Sequence, residues 1–162
     1  MILIAYDGSE DSKAAITQAG KLFQGEGVTV LTVWQRFIDT VARTGGNITV
    51  ALDFDAMDAD AERAATQTAQ AGGELALEAG MEARPRTAVV NTTVADAILA
   101  AAADARADAV VCGSHGHAGL RSLMLGSVSR RLLHHAEIPV VVVPSPAVVA
   151  ARAEHRARMQ EG

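Results

Sequence analysis

The residues best equipped for chemistry lie close together late in the chain: Gly113-Ser114-His115-Gly116 and, after nine intervening residues, Gly126-Ser127-Val128-Ser129. Glycines at positions 113 and 116 let a backbone come close to a ligand with no side chain in the way. Gly126-Ser127 reads as the opening of a helix, where free N–H groups and hydroxyls converge at the positive end of the dipole. Together these features describe an anion site, and phosphate is the commonest biological anion to fill one. Arg121, Arg130 and Arg131 are near enough in sequence to add charge. The competing reading assigns the glycines to turns alone. Two better-known phosphate loops are absent. No G-x-x-x-x-G-K-[ST] occurs, and glycines at 113, 116 and 119 do not have the G-x-G-x-x-G spacing.

Other reactive residue types point elsewhere. His115 and His117 are spaced as a ligand pair might be, yet no carboxylate or cysteine stands at matching spacing, so no metal site is expected. The adjacent His134 and His135 cannot share a helix face and read as surface residues. Cys112 is the only cysteine, which forbids an internal disulfide; ending an apolar run, it reads as a small hydrophobe and not as a nucleophile. Asp7, followed by Gly8, is either a turn former or a ligand contact.

Composition narrows the classes further. Over 162 residues, 49% hydrophobic and 20% charged content excludes a disordered chain and fits one domain. Aromatics at 3% leave little material for base stacking, and 14 Lys plus Arg against 19 Asp plus Glu (net −5) argues against binding a nucleic-acid backbone. The start of the chain lacks the pattern of a signal peptide and no apolar run reaches membrane-spanning length, so a cytoplasmic setting is expected.

The elements that must position these residues alternate between short β-rich runs and longer helical ones, the pattern of a parallel α/β sheet. Ile2 to Tyr6 is a compact strand ending in the turn Asp7-Gly8-Ser9. A helix follows with Ala15, Ala19, Leu22 and Phe23 on one face, stopped by Gly25 and Gly27. Val28 to Val33 forms a second strand. Residues 36–55 have no clean period and read as a long, mobile loop. Helix resumes from Ala56 to about Ala79, with Gly72-Gly73 as a weak point and Gly80 as its stop. Ala83 to Val90 is a third strand, in which Pro85 marks either an edge position or an irregular start. Thr93 and Asp96 start a helix that buries Val94, Ile98 and Leu99. Ala109 to Cys112 is a fourth strand, Ser127 to Leu133 a short helix, and Pro139 to Pro144 a fifth strand. Unbroken apolar strands imply burial on both faces. After Ser145 an Ala- and Arg-rich tail either forms a terminal helix or frays.

The spacing G-x2-G-x9-G-[ST], carried by Gly113, Gly116, Gly126 and Ser127, resembles the ATP-binding signature of the universal stress protein family. Ile4-Ala5-Tyr6-Asp7-Gly8-Ser9 is similar to that family's first strand and turn. Ala107 to Gly116 is similar to its fourth strand and loop, and Ile138 to Val143 to its closing strand. The resemblance implies an α/β fold, Rossmann-like and of the adenine nucleotide alpha hydrolase-like type. It has an open five-stranded parallel sheet, strand order 3-2-1-4-5, with helices on both faces. It implies one such domain over residues 1–146 with a C-terminal extension over 147–162, and a homodimer formed through the fifth strand around Val140 to Val143. It also implies ATP binding, with or without Mg²⁺. Ligands in such sheets bind beyond the strand ends where the order reverses, here between Asp7 and Gly113. By resemblance, Ala5 and Asp7 border the nucleoside, and backbone around Val33 meets adenine. Gly113, Ser114, His115, Gly116, Gly126, Ser127, Val128 and Ser129 surround ribose and phosphates.

Three functions follow in order of support. The first is a dimeric nucleotide-binding regulatory module of the stress response with little or no ATP turnover, since no general base or carboxylate pair stands near the glycine loops. The second is an adenylating enzyme resembling the ATP pyrophosphatases, because Asp7-Gly8-Ser9-Glu10-Asp11-Ser12 partly matches their S-G-G-x-D-S loop. Ser9 and Asp7 replace a glycine and a serine that face pyrophosphate there. The third is a regulatory dimer that binds no nucleotide.

Overall fold

The computed structural model describes residues 1–44, 53–116 and 125–160, with the side chains of 42–44 left aside. Five strands, β1 (Ile2–Ala5), β2 (Gly27–Trp34), β3 (Glu82–Val89), β4 (Ala109–Gly113) and β5 (Val140–Val143), form one sheet in the order β3-β2-β1-β4-β5. Every pairing is parallel. Ile2 and Ile4 of β1 send their side chains to one face, where they join Val28, Val30 and Val111 against Ala15, Ile16 and Ala19. Leu3 goes to the other face, with Leu31, Val110 and Cys112 against Ile98, Ala102 and Leu132. Strands buried on both sides favour apolar residues at successive positions, as Ile2-Leu3-Ile4 and Val110-Val111-Cys112 show.

The first of these faces is covered by α1 (Glu10–Leu22) and α3 (Phe54–Glu78), the second by α4 (Val94–Asp104) and α5 (Ser127–His135). Ser9 caps α1 and Thr93 caps α4, each side chain accepting from an N–H three residues on. Gly80, at φ +83°, ends α3. Its N–H donates to the Leu77 carbonyl and that of Met81 to Ala76, the paired bonds of a Schellman motif. The chain closes with α6 (Pro146–Gln160), in which only Val148 is buried.

Four sequence expectations change. Residues 36–55 are not all loop: α2 spans Phe37–Thr44 and α3 begins at Phe54. The Phe37 N–H donates to Asp58 at 2.7 Å and the rings of Phe37 and Phe54 lie 6.0 Å apart, so tertiary contact supplies what periodicity lacked. Residues 45–52 lie outside the described residues. Gly72-Gly73 does not weaken α3 but lets it sit close to the sheet. A Cβ on Gly72 would lie 2.6 Å from Tyr6 Cδ1, and one on Gly73 2.7 Å from Pro85 Cγ. Leu22, expected on the buried face of α1, is 60% exposed because the helix ends at it. β3 starts and stops one residue earlier than expected; it is an edge strand, as Pro85 requires.

Candidate functional site

The order of β1 and β4 at the sheet centre opens a crevice beyond their carboxyl ends, the switch point of an open parallel sheet. A cavity of about 300 Å³ occupies it. All eleven residues expected from the sequence line it, contributed by separate segments. Ala5 and Asp7 come from the end of β1, and Val33 from β2. Gly113 ends β4, Ser114, His115 and Gly116 follow it, and Gly126 to Ser129 form the start of α5.

At the β1 end, Gly8 takes φ +84° and the chain turns into α1, while Asp7 Oδ1 accepts the Ser9 N–H at 3.0 Å. Asp7 is thus a turn former, and its carboxylate also approaches the opposite loop. A Cβ on Gly116 would lie 2.6 Å from Asp7 Oδ2. Gly113 has a comparable reason: a Cβ there would meet the Asp11 backbone carbonyl carbon and Cβ at 2.8 Å. These two glycines thus make room for the protein's own groups, where the sequence suggested room for a ligand.

The two loops are tied to each other. Gly126 N–H donates to the Ser114 carbonyl at 2.9 Å, and Ser129 Oγ donates to the same carbonyl at 3.0 Å. The Ser114 hydroxyl donates to Asp11 Oδ2 at 2.6 Å. Ser114 and Ser129, both buried, thereby fix the shape of the rim, while the Ser127 side is exposed. Gly126 caps α5 with no side-chain hydrogen bond, so the first N–H groups of α5 are left to the cavity mouth with the positive end of its dipole.

Asp11 is the group that sequence reasoning missed as part of this assembly. It lies beneath the loop, and its Oδ2 accepts the His115 N–H at 2.9 Å as well as the Ser114 hydroxyl. Burial pushes its carboxyl pKa up, but hydrogen bonds from Ser114, Ser145 and His115 outweigh that and hold it below the usual carboxylate value. Its signal was its place in the first turn of a helix entering the site. Tyr6, Ser12, Leu31, Val94, Ile98 and Cys112 also line the cavity; Val94 and Ile98 had been read as core alone. Burial pushes the Cys112 thiol up to about 12, in keeping with a hydrophobe.

Arg130 and Arg131 do not line the cavity. They border a neighbouring groove with His134 and His135, and Arg131 Nε lies 3.3 Å from Asp96 Oδ1. His117 and Arg121 lie outside the described residues. Among the described residues no cluster of three or more His, Cys, Asp or Glu is placed to hold a metal ion, and no helix is long and apolar enough to cross a membrane. The cavity therefore has an apolar wall of Ala5, Leu31, Val33, Val94 and Ile98, and a polar rim of Asp7, the Gly116 loop and the α5 N-terminus. That division suits a ligand with a flat apolar part and an anionic part.

Residues 1–144 match the model of the universal stress protein family. The chain is 32% identical over 145 residues to universal stress protein Rv2005c of Mycobacterium tuberculosis, covering 87% of this chain and 44% of that one, so it spans less than half that relative's length. It is 30% identical over 145 residues to universal stress protein YxiE of Bacillus subtilis, covering 88% and 97%. Among solved structures, the fold is similar to that of the universal stress protein from Archaeoglobus fulgidus in complex with dAMP, at TM-score 0.54 and 23% identity over 88% of this chain and 95% of that one. It is also similar to an Arabidopsis thaliana universal stress protein family member with AMP bound, at TM-score 0.59 and 16% identity over 90% and 92%.

Proposed function

The chain belongs to the universal stress protein family, and from that premise we propose that it is an adenine-nucleotide-binding regulatory module, with ATP as its nucleotide and little or no turnover. The observation that carries this reading is the convergence of eleven residues, expected from sequence alone, on one cavity with an apolar wall and an uncapped helix N-terminus at its rim. The structural relatives bound to dAMP and AMP support an adenine ring as the flat part. Adenine then lies along Ala5 and Val33, Asp7 meets the ribose side, and the phosphates lie against Gly116 and the N–H groups of Ser127, Val128 and Ser129.

Slow turnover follows from the same residue types. No Lys or Arg stands among the described residues that line the cavity, and its polar groups are backbone N–H, hydroxyls, the His115 imidazole and one half-buried carboxylate, Asp7. Such donors hold ground and transition state about equally, which gives affinity without rate. Where Mg²⁺ accompanies ATP, the ion would neutralise phosphate charge that no Lys or Arg among the described lining residues offsets.

The two sheet edges support a homodimer through β5. The β3 edge exposes Glu82, Arg84, Pro85 and Arg86, charges and a proline that discourage pairing, whereas β5 offers Val140, Val141 and Val142 half-buried. Competition binding tests the whole reading: AMP, ADP and ATP should each displace a labelled adenine nucleotide, and GMP should not. Equal displacement by GMP would contradict an adenine-specific site. Single-turnover assays with Mg²⁺ should show ATP intact well beyond a second, against the ~1–10³ s⁻¹ of ordinary enzymes.

A further inference from the structure

Asp11 is the one buried charged residue among the described residues, 7% exposed, and no lysine or arginine offsets it. A buried carboxylate is costly unless donors surround it. Here the donors come from three places. Ser114 Oγ is 2.6 Å and His115 N 2.9 Å from Oδ2, and His115 Nδ1 lies 3.4 Å from the same oxygen. Ser145, buried between β5 and α6, helps hold the carboxyl pKa down, and its side chain accepts the Val148 N–H as the cap of α6. Asp11 itself does not line the cavity, but Ser114 and His115 do. Its influence reaches further, because the Ser114 carbonyl holds both Gly126 N and Ser129 Oγ at the start of α5. One carboxylate on α1 thus fixes the loop after β4, the N-terminus of α5 and the first turn of α6.

We propose that Asp11 is the positioning residue of the nucleotide site: from beneath the loop it sets where Ser114, His115 and the N-terminus of α5 stand, and so determines affinity for the phosphate and not for the nucleoside. This rests on the adenine-nucleotide reading above. The nucleoside end is built by Ala5, Val33, Val94 and Ile98, none of which bonds to Asp11, so the two ends of the ligand respond separately to its loss. Ser145 is the outer arm of the same network and stands at the start of α6.

AMP and adenosine, which differ only in the phosphate, are the probes, titrated into the full chain and its Asp11→Ala, Asp11→Asn and Ser145→Ala variants. Asp11→Ala should weaken AMP about tenfold, the size of one misplaced hydrogen bond, while adenosine changes by less than about twofold. Asp11→Asn retains an acceptor oxygen and should show a smaller loss confined to AMP; it carries the test where the alanine variant does not fold. Ser145→Ala should also weaken AMP selectively. Equal losses for both probes would reduce Asp11 to a fold-stabilising residue and overturn the proposal, as would unchanged AMP affinity in Asp11→Ala. Failure of the unmodified protein to bind either probe would overturn the nucleotide reading itself.

Discussion

A side chain at Gly116 would collide with the Asp7 carboxylate, whose Oδ2 lies 2.6 Å from an added Cβ. Gly116→Val should therefore push the rim out of place and lower adenine-nucleotide affinity by at least tenfold, with the fold retained because the residue sits in an exposed loop; calorimetry and circular dichroism check both halves. Gly126→Val meets the Ser114 carbonyl at 3.1 Å, a milder clash, and its loss should be smaller. The sequence read Gly113 and Gly116 as room for a ligand, whereas they make room for Asp11 and Asp7, since a spacing cannot reveal which atom fills the space a glycine leaves. Asp11 was illegible as a site residue for the same cause: its partners Ser114 and Ser145 lie more than a hundred residues away. Its folded pKa lies below the unfolded value, so its stabilising contribution is fully present above the ordinary carboxylate range and is lost as pH falls through the folded value. At neutral pH, Asp11→Ala should cost roughly 1–3 kcal/mol by leaving donors unsatisfied. Denaturant curves should show that cost shrinking below about pH 4; a difference independent of pH would contradict an ionised, bonded Asp11.

At the scale of elements, the strands were legible because a parallel sheet demands largely apolar runs, such as Val28 to Val33 or Ala109 to Cys112, whereas their order came only from the resemblance to the family. Helix caps were equally plain at Thr93, where a hydroxyl three residues before an N–H is a local device. What periodicity could not supply was tertiary contact: α2 forms beside α3 through Asp58 and the Phe37–Phe54 ring pair. Gly72-Gly73 teaches the same lesson in reverse. Helix propensity favours Ala at Gly72 by about 1 kcal/mol, yet the added methyl would lie within 3 Å of Tyr6 and Val30. Overpacking costs about 1–3 kcal/mol, so Gly72→Ala should lower the melting temperature by a few degrees, against the gain that a propensity argument expects. Because Tyr6 also lines the cavity, the same variant should weaken nucleotide binding. A raised melting temperature with unchanged binding would show that α3 has slack there.

For the whole molecule, the strand order is what turns scattered residues into a site, since only the β1–β4 adjacency brings Asp7 to Gly116 and both to α5. The same order leaves β5 as an apolar edge, and Val141→Lys should lower the mass in solution from dimer to monomer at micromolar concentration while circular dichroism is unchanged. A monomeric mass for the unmodified protein would contradict the β5 interface. The central claim is that the cavity between β1 and β4 binds an adenine nucleotide. Calorimetric titration of AMP and ATP into the unmodified chain, beside Gly116→Val, tests it most directly. The account predicts saturable binding at one site per chain, lost in the folded variant. Undiminished binding in Gly116→Val, or no binding by the folded unmodified protein, would contradict it.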